Sequence, residues 1–244
     1  MNERPLPRSR LAGARIAVIS PVLPTEAIDV EATLRPLRDS TAEIENFFLD
    51  EGPASIETEA DIESCLPGLL AVGKRVAESG WQALVVNCMC DPGVPELRER
   101  TAVPVFGPAE TSMHAITAAG GHFSVLDVVS DGREMVEEQI ARYGLRSYYV
   151  SYRSIDVPVL ELFSEPARTI AALEGAALAA LADGADTLLL GCTGLAELAR
   201  QLRAALAARG RYPAIVEPLL TSILVARTLL EARVPDARVG SGGR

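Results

Sequence analysis

Residues 84–99 read LVVNCMCDPGVPELRE, and residues 186–200 read DTLLLGCTGLAELAR. In each stretch a short apolar run leads to a cysteine, Cys88 or Cys192, and a turn signal and an amphipathic helical pattern follow. A short apolar run of this kind indicates a strand buried in a parallel sheet, and the turn residues after it indicate the start of a helix. We therefore expect each cysteine at the carboxyl end of a strand and beside a helix N-terminus.

This position favours a reactive thiol. Backbone N–H groups and the helix dipole stabilise negative charge at a helix N-terminus, so the pKa of a thiol there is lowered and thiolate forms near neutral pH. One such cysteine is a candidate nucleophile, whereas two suggest an acid and a base that act on one substrate. The alternative for each is a small buried hydrophobic side chain, which is the commoner fate of a lone cysteine.

The rest of the chain alternates between strand and helix patterns. Such alternation predicts an α/β fold with parallel sheets covered by helices on both faces. The apolar runs are residues 15–20, 83–87, 122–126 and 187–191, and the helical stretches are residues 62–78, 132–142, 169–183 and 195–209.

The spacing predicts two similar lobes. The distance from Ile16 to Cys88 along the chain nearly equals that from Phe123 to Cys192. We therefore expect two pseudo-symmetric α/β lobes, residues 1–105 plus 219–244 and residues 106–218, with one cysteine from each in a shared cleft. Residues 103–108 are predicted to form a strand, bounded by prolines, that crosses between the lobes, and residues 211–218 are predicted to form a second one. Ligands of open α/β sheets bind beyond the carboxyl ends of the strands, where both thiols are expected.

Residues beside the two cysteines are further candidates. Asp91 is a good N-cap with Pro92 at the first helical position, and Gly93 allows the backbone to approach a ligand closely. Thr193, flanked by Gly194, can cap its helix or offer its hydroxyl to a substrate.

The other motifs favour structural roles. Ser55 is predicted to cap a helix with Glu57 in its first turn, and Cys65 is predicted to be structural. Arg153 is predicted in a loop between the lobes, either facing solvent or functional.

Composition and motifs exclude several classes of function. Cys88, Cys90 and Cys192 could be imagined as zinc ligands, but no C-x-x-C pair is present and His114 and His122 are isolated, so we expect no metal. The sequence lacks G-x-G-x-x-G and P-loop motifs, so no nucleotide cofactor is expected.

The net charge of −10 argues against nucleic acid or an anionic membrane as partner. The 244 residues carry four cysteines, too few for a disulfide scaffold, and the chain shows no signal peptide or membrane-length apolar run. We therefore expect a cytoplasmic protein. Residues 239–244 are predicted to form a loose tail.

Several segments together resemble the Asp/Glu/hydantoin racemase superfamily, and within it the hydantoin/allantoin racemase branch. The segments are GPASIETEAD, NCMCDPGVPELRE, VPVFGPAETSMHA, YGLRSYYVSYRSIDVPVLEL, LLLGCTGLAEL and VEPLLTSILVA, which cover most of the chain. The resemblance implies two α/β lobes around a cleft, a cofactor-independent isomerase that works as a homo-oligomer, and Cys88 and Cys192 as its catalytic thiols. It also implies substrate binding at Ser20, Pro21, Cys90, Thr193 and Gly194.

Two segments depart from the family pattern. The family usually has Asn-Pro-Asn-Thr after the first strand, where this chain has SPVLPT at residues 20–25, and often Thr-Thr where this chain has Asp127 and Val128. Both segments are expected to line the cleft, where Asp127 would repel anionic substrates.

The resemblance implies proton transfer at the stereocentre of a 5-substituted hydantoin or allantoin. The alternatives are an amino-acid racemase, a decarboxylase or cis–trans isomerase of the same fold, and a non-catalytic small-molecule binding protein.

Overall fold

The computed structural model describes residues 13–27, 29–39 and 41–232. The charged first ten residues and the predicted tail at residues 239–244 lie outside the described residues. Within the described part of the chain, no helix is both long enough and apolar enough to cross a membrane.

Within the described residues, eight strands form two separate sheets of four, and every strand pair in the sheets is parallel. The first sheet has the order β2-β1-β3-β4, and the second has the order β6-β5-β7-β8. The two sheets therefore repeat one topology, and the predicted α/β fold with two pseudo-symmetric lobes is confirmed. The strands are β1 Ala14–Ser20, β2 Ala42–Phe48, β3 Ala83–Val86, β4 Val105–Phe106, β5 Phe123–Asp127, β6 Tyr149–Ser154, β7 Thr187–Leu190 and β8 Ala214–Val216.

Helices connect the strands, as parallel pairing requires. The α-helices are α1 Val30–Leu34, α2 Glu59–Glu78, α3 Val94–Arg100, α4 Pro108–Ala118, α5 Arg133–Arg142, α6 Pro166–Ala182, α7 Ala199–Ala208 and α8 Pro218–Ala232. Short 3₁₀ helices include Ser130–Gly132, Val159–Glu161 and Thr193–Leu198. The predicted helix over 195–209 is thus a 3₁₀ turn followed by α7.

The helix that follows each sheet packs against the other sheet. In α4, Met113 and Ile116 share a core with Phe123 of β5, although α4 follows the first sheet. In α8, Ile223 and Ala226 share a core with β1 and β3, although α8 follows the second sheet. The two helices also pack against each other.

The packing of α4 and α8 against the other sheet supports the proposed division into lobes of residues 1–105 plus 219–244 and residues 106–218. Strand β4 ends at Phe106, so the first sheet extends one residue beyond the proposed boundary.

Two strands were not predicted, β2 and β6, and each lies at an edge of its sheet. The prediction for Arg153 was therefore wrong. Arg153 lies in β6, and its guanidinium makes an ion pair with Asp183 at 2.6 Å.

The predicted start of the helix after Cys88 was wrong. Helix α3 begins at Val94, and its N-cap is Gly93 at φ +63°, not Asp91. Gly93 packs against Leu69 and Leu66, not against the cleft. The N-cap of α2 is Thr58, which forms a capping box with Asp61. The predicted helix start, with Ser55 as cap and Glu57 in the first turn, was therefore also wrong.

Asp91 instead caps α4. Its buried carboxylate accepts hydrogen bonds from the N–H groups of Ala109 at 3.0 Å and Glu110 at 2.9 Å, and from the Tyr143 hydroxyl at 2.7 Å. Asp91 therefore ties the loop after β3 to α4 and to α5. The close approach requires glycine at position 107, because a Cβ there would lie 2.5 and 2.6 Å from the Asp91 carboxylate oxygens.

We predict that Gly107→Ala lowers the free energy of unfolding by about 1–3 kcal/mol, because Asp91 is held by three hydrogen bonds and has no room to move away. Gly175→Ala is the matched control. Gly175 is exposed in α6 with no atom near its would-be Cβ, so alanine should raise stability by up to about 1 kcal/mol. Urea denaturation measures both, and a Gly107→Ala protein as stable as the wild type would refute the tight Asp91 contact.

Candidate active site between the two lobes

One cleft collects residues from the carboxyl ends of both sheets. Cys88 lies two residues after the end of β3, and Cys192 lies two residues after the end of β7. The cleft is lined by all nine residues that the sequence singled out, namely Ser20, Pro21, Cys88, Cys90, Asp127, Val128, Cys192, Thr193 and Gly194.

A turn holds Cys88. The Asp91 N–H donates to the Cys88 carbonyl at 3.1 Å, and the Gln139 side-chain amide donates to the Met89 carbonyl at 3.1 Å. Gln139 in α5 and Tyr143, the C-cap residue of α5, thus fix from the second lobe a loop that belongs to the first. Met89 and Asp91 of this loop are buried.

The start of a 3₁₀ helix holds Cys192. Cys192 is the N-cap residue of Thr193–Leu198, and its carbonyl accepts from the Leu195 N–H at 3.1 Å. The N–H of Gly194 hydrogen-bonds the thiol sulfur, as the N–H of Cys90 does for Cys88. Each thiol therefore receives a backbone N–H from two residues further on, and the two sites are locally alike.

Burial outweighs these N–H groups, so the expectation of lowered thiol pKa values was wrong. A hydrogen bond with Cys90, together with burial, raises the pKa of Cys88 well above its ordinary value. Burial, followed by the charge of Asp127, raises the pKa of Cys192 to about 12. Both cysteines are therefore thiols at neutral pH.

Asp127 is a buried carboxyl group at the end of β5. Its Oδ1 accepts from the Val128 N–H at 2.7 Å, and burial raises its pKa to about 7. Its carboxyl group also packs on Gly191, where a Cβ would come within 2.8 Å of Oδ2. Glycine before Cys192 thus makes room for Asp127.

A polar chain lies behind the first-lobe wall. The Ser20 hydroxyl donates to Asn46 Oδ1 at 2.8 Å and accepts from Asn87 Nδ2 at 3.0 Å. This leaves Asn87 Oδ1 buried and without a hydrogen bond among the described residues. Ser20 is itself buried, so its hydroxyl orients Asn87 and is not free for a ligand.

Sequence reasoning missed several polar residues of the cleft as site residues, among them Asn87, Asp29, Glu57 and Glu197. Asn87 could have been found, because it directly precedes Cys88 at the strand end. Glu57 was noted as a residue of a helix start. Asp29 and Glu197 have no local signal, since ordinary surface helices carry such residues.

Cys88, Cys90 and Cys192, the three ligands considered for zinc, line the same cleft. Over residues 13–27, 29–39 and 41–232, no three His, Cys, Asp or Glu side chains are grouped so as to hold a metal ion.

Comparison with known proteins agrees with this architecture. Residues 25–219 match the family model described as Asp/Glu/Hydantoin racemase. A hydantoin racemase of Pseudomonas sp. (strain NS671) is 31% identical over 74% of this chain and 71% of its own length. A hydantoin racemase of Rhizobium meliloti is 29% identical over 78% of this chain and 77% of its own length.

A solved structure shares the fold over nearly the whole chain. The structure of an allantoin racemase from Klebsiella pneumoniae superposes with a TM-score of 0.80 and 27% identity, covering 90% of this chain and 89% of that one. The chain therefore belongs to the Asp/Glu/hydantoin racemase family, in its hydantoin/allantoin racemase branch, and is an isomerase of the racemase class.

Proposed function

We propose that the protein racemises 5-substituted hydantoins by proton transfer between Cys88, Cys192 and the stereocentre, without a cofactor. The observation that carries the proposal is the pair of thiols at equivalent strand ends of two sheets, in one cleft. The relatives described as hydantoin racemases support the substrate class.

The reaction needs a base on one face of the stereocentre and an acid on the other. One cysteine, as thiolate, removes the proton from C5 of the ring. The other cysteine, as thiol, gives its proton to the opposite face, and the roles are exchanged for the reverse reaction. In the active enzyme the two cysteines therefore carry one proton in total, since one is a thiolate and the other is a thiol.

Backbone N–H groups near Thr193 and Cys90 are suited to stabilise the enolate that forms when the proton leaves. The thiolate itself is supported by the N–H of Cys90 or Gly194. The five-membered ring makes the C5 proton more acidic than that of a free amino acid, which suits a site that uses only protein groups.

The departures from the family pattern bear on substrate choice. Pro21, Val22 and Val128 line the cleft and give it apolar contacts in place of hydrogen-bond donors. An apolar pocket gains about 1–3 kcal/mol per buried methylene group of the substrate. A hydantoin with an apolar side chain should therefore be a better substrate than allantoin, whose side chain is polar.

Deuterium uptake from heavy water, followed by NMR, tests the proposed reaction. We expect uptake at C5 of 5-benzylhydantoin and 5-isobutylhydantoin with a higher kcat/KM than for allantoin. Uptake at Cα of aspartate or glutamate in place of the hydantoins would identify an amino-acid racemase. No uptake into any compound would favour the binding protein.

Replacement of each cysteine tests the two-thiol mechanism. We expect Cys88→Ser and Cys192→Ser each to lower racemisation by about 10²–10⁴-fold, because each removes a positioned acid or base. Each variant should still exchange deuterium into one enantiomer, since the remaining thiol reaches one face. Cys65→Ala is the matched control, because Cys65 lies in α2, is buried in the core and does not line the cleft. Near-wild-type turnover in either cleft variant would refute the mechanism.

The raised thiol pKa values predict an alkaline rise in activity. The base is a thiolate, and burial raises the pKa of Cys192 to about 12, so the thiolate fraction grows as pH increases. We expect log kcat/KM for a neutral hydantoin to rise with pH, with a slope of about one, from pH 6 to 9, because kcat/KM reports the free enzyme. Initial rates corrected for the uncatalysed reaction measure this. A plateau that begins below pH 7 would show a preformed thiolate instead.

A further inference from the structure

The charged side chains that line the cleft all have the same sign. Asp29, Glu57 and Glu197 line it, together with Asp127, whose pKa burial raises to about 7, and within the described residues no lysine, arginine or histidine does. A cleft lined by one sign of charge concentrates ligands of the opposite sign. An anionic substrate therefore meets repulsion from several sides.

No cationic side chain in the described ranges forms an ion pair with any of these four carboxylates. Their hydrogen-bond donors are neutral. Asp29 Oδ1 accepts from the Ala32 N–H at 3.2 Å, and Glu57 Oε1 accepts from the Ser55 hydroxyl at 3.0 Å. The negative charge is therefore not compensated by the part of the protein that the structure describes.

Two of the carboxylates join segments that are far apart in the chain. Glu57 Oε1 accepts from the Val159 N–H at 3.3 Å, and Glu197 Oε1 accepts from the Asp29 N–H at 3.3 Å. Each of these bonds runs between the lobes and uses one oxygen of its carboxylate. The other oxygen of Glu57 and of Glu197 has no hydrogen bond within residues 13–27, 29–39 and 41–232.

The buried acceptor at Asn87 is an independent sign of the ligand's chemistry. Asn87 Oδ1 is unpaired among the described residues and lies next to Cys88 in sequence, so a ring N–H is the group that would satisfy it. Asn87 Oδ1 and the open oxygens of Glu57 and Glu197 are acceptors, and a ligand rich in N–H donors complements them.

Apolar side chains make up the rest of the wall, among them Val22, Phe48, Ile56, Val159 and Leu160. They suit a hydrocarbon stem between the reacting ring and the carboxylates. We infer that the cleft selects hydantoins whose 5-substituent is an apolar chain that ends in a cationic amine or guanidine group. This specificity rests on the proposed function and names its substrate class.

Three hydantoins of similar size test the inference: 5-(4-aminobutyl)hydantoin as cation, 5-pentylhydantoin as neutral compound and 5-(3-carboxypropyl)hydantoin as anion. At low ionic strength we expect kcat/KM for the cation to exceed that for the anion by about 100-fold, with the neutral compound between them. Screening at 0.5 M salt should reduce the ratio to about tenfold or less. Equal values for cation and anion, or a preference for the anion, would overturn the inference.

Isosteric variants locate the effect. Glu197→Gln and Asp29→Asn each remove one charge and keep a side-chain acceptor, and asparagine is as good an N-cap as aspartate. We expect each to lower the ratio of kcat/KM for the cation to that for the neutral compound by about 3–10-fold at low salt, because each removes one attraction between opposite charges at close range. Glu99→Gln, exposed on α3 and outside the cleft, is the control that removes one charge without changing the ratio. An unchanged ratio in both cleft variants would refute their role.

Binding separates this inference from the proposed function. Calorimetry with the racemic compounds measures the dissociation constant without a net reaction. If none of the three is racemised but the cation binds at least tenfold more tightly than the anion, the proposed function fails and the charge selection holds. If the cation binds no more tightly than the anion, the charge selection fails whatever the turnover.

Discussion

Parallel sheets must be covered on both faces, and in this protein neither sheet is covered by its own helices alone. Helix α4 follows the first sheet and covers the second, while α8 follows the second and covers the first. The two helices pack against each other, so the sheets cannot separate without exposing both cores. The cleft with its two cysteines depends on this exchange, because the exchange fixes one set of strand ends relative to the other.

The chemistry of the thiols is a balance between their local turns and their burial. Each turn directs a backbone N–H at its sulfur, which favours thiolate, but burial in an apolar cleft favours the neutral thiol more strongly. A thiol that stays protonated at rest is protected from oxidation, since the thiolate is the reactive form. The same balance gives the proposed pair one thiol to act as acid in every turnover.

Much of the fold could be predicted because β1, β3, β5 and β7 are short apolar runs buried in the middle of their sheets. The edge strands β2 and β6 could not be predicted in this way. Strand β2 carries Glu43 and Glu45 on its exposed face, and β6 has Ser151 and Arg153 among its aromatic residues.

The start of α3 was misplaced for a different reason. Local sequence makes Asp91 a helix cap, and it is one, but for α4, which begins at Pro108 and not directly after Asp91. The thiols could be found because cysteine at a strand end is unusual. Asp29 and Glu197 could not, because only the folded chain brings them to the cleft.

The acidic residues that line the cleft affect the protonation of the thiols. The charges of Asp127 and Glu57 are among the causes that raise the pKa of Cys192, so the acidic cleft opposes formation of the base that the mechanism needs. A neutral ligand leaves that opposition in place. A cation bound between Glu57 and Glu197 would cancel part of the field and lower the pKa of the thiol, so the proposed substrate would help to generate its own base. Selection for a cation and activation of the thiol would then have one physical origin.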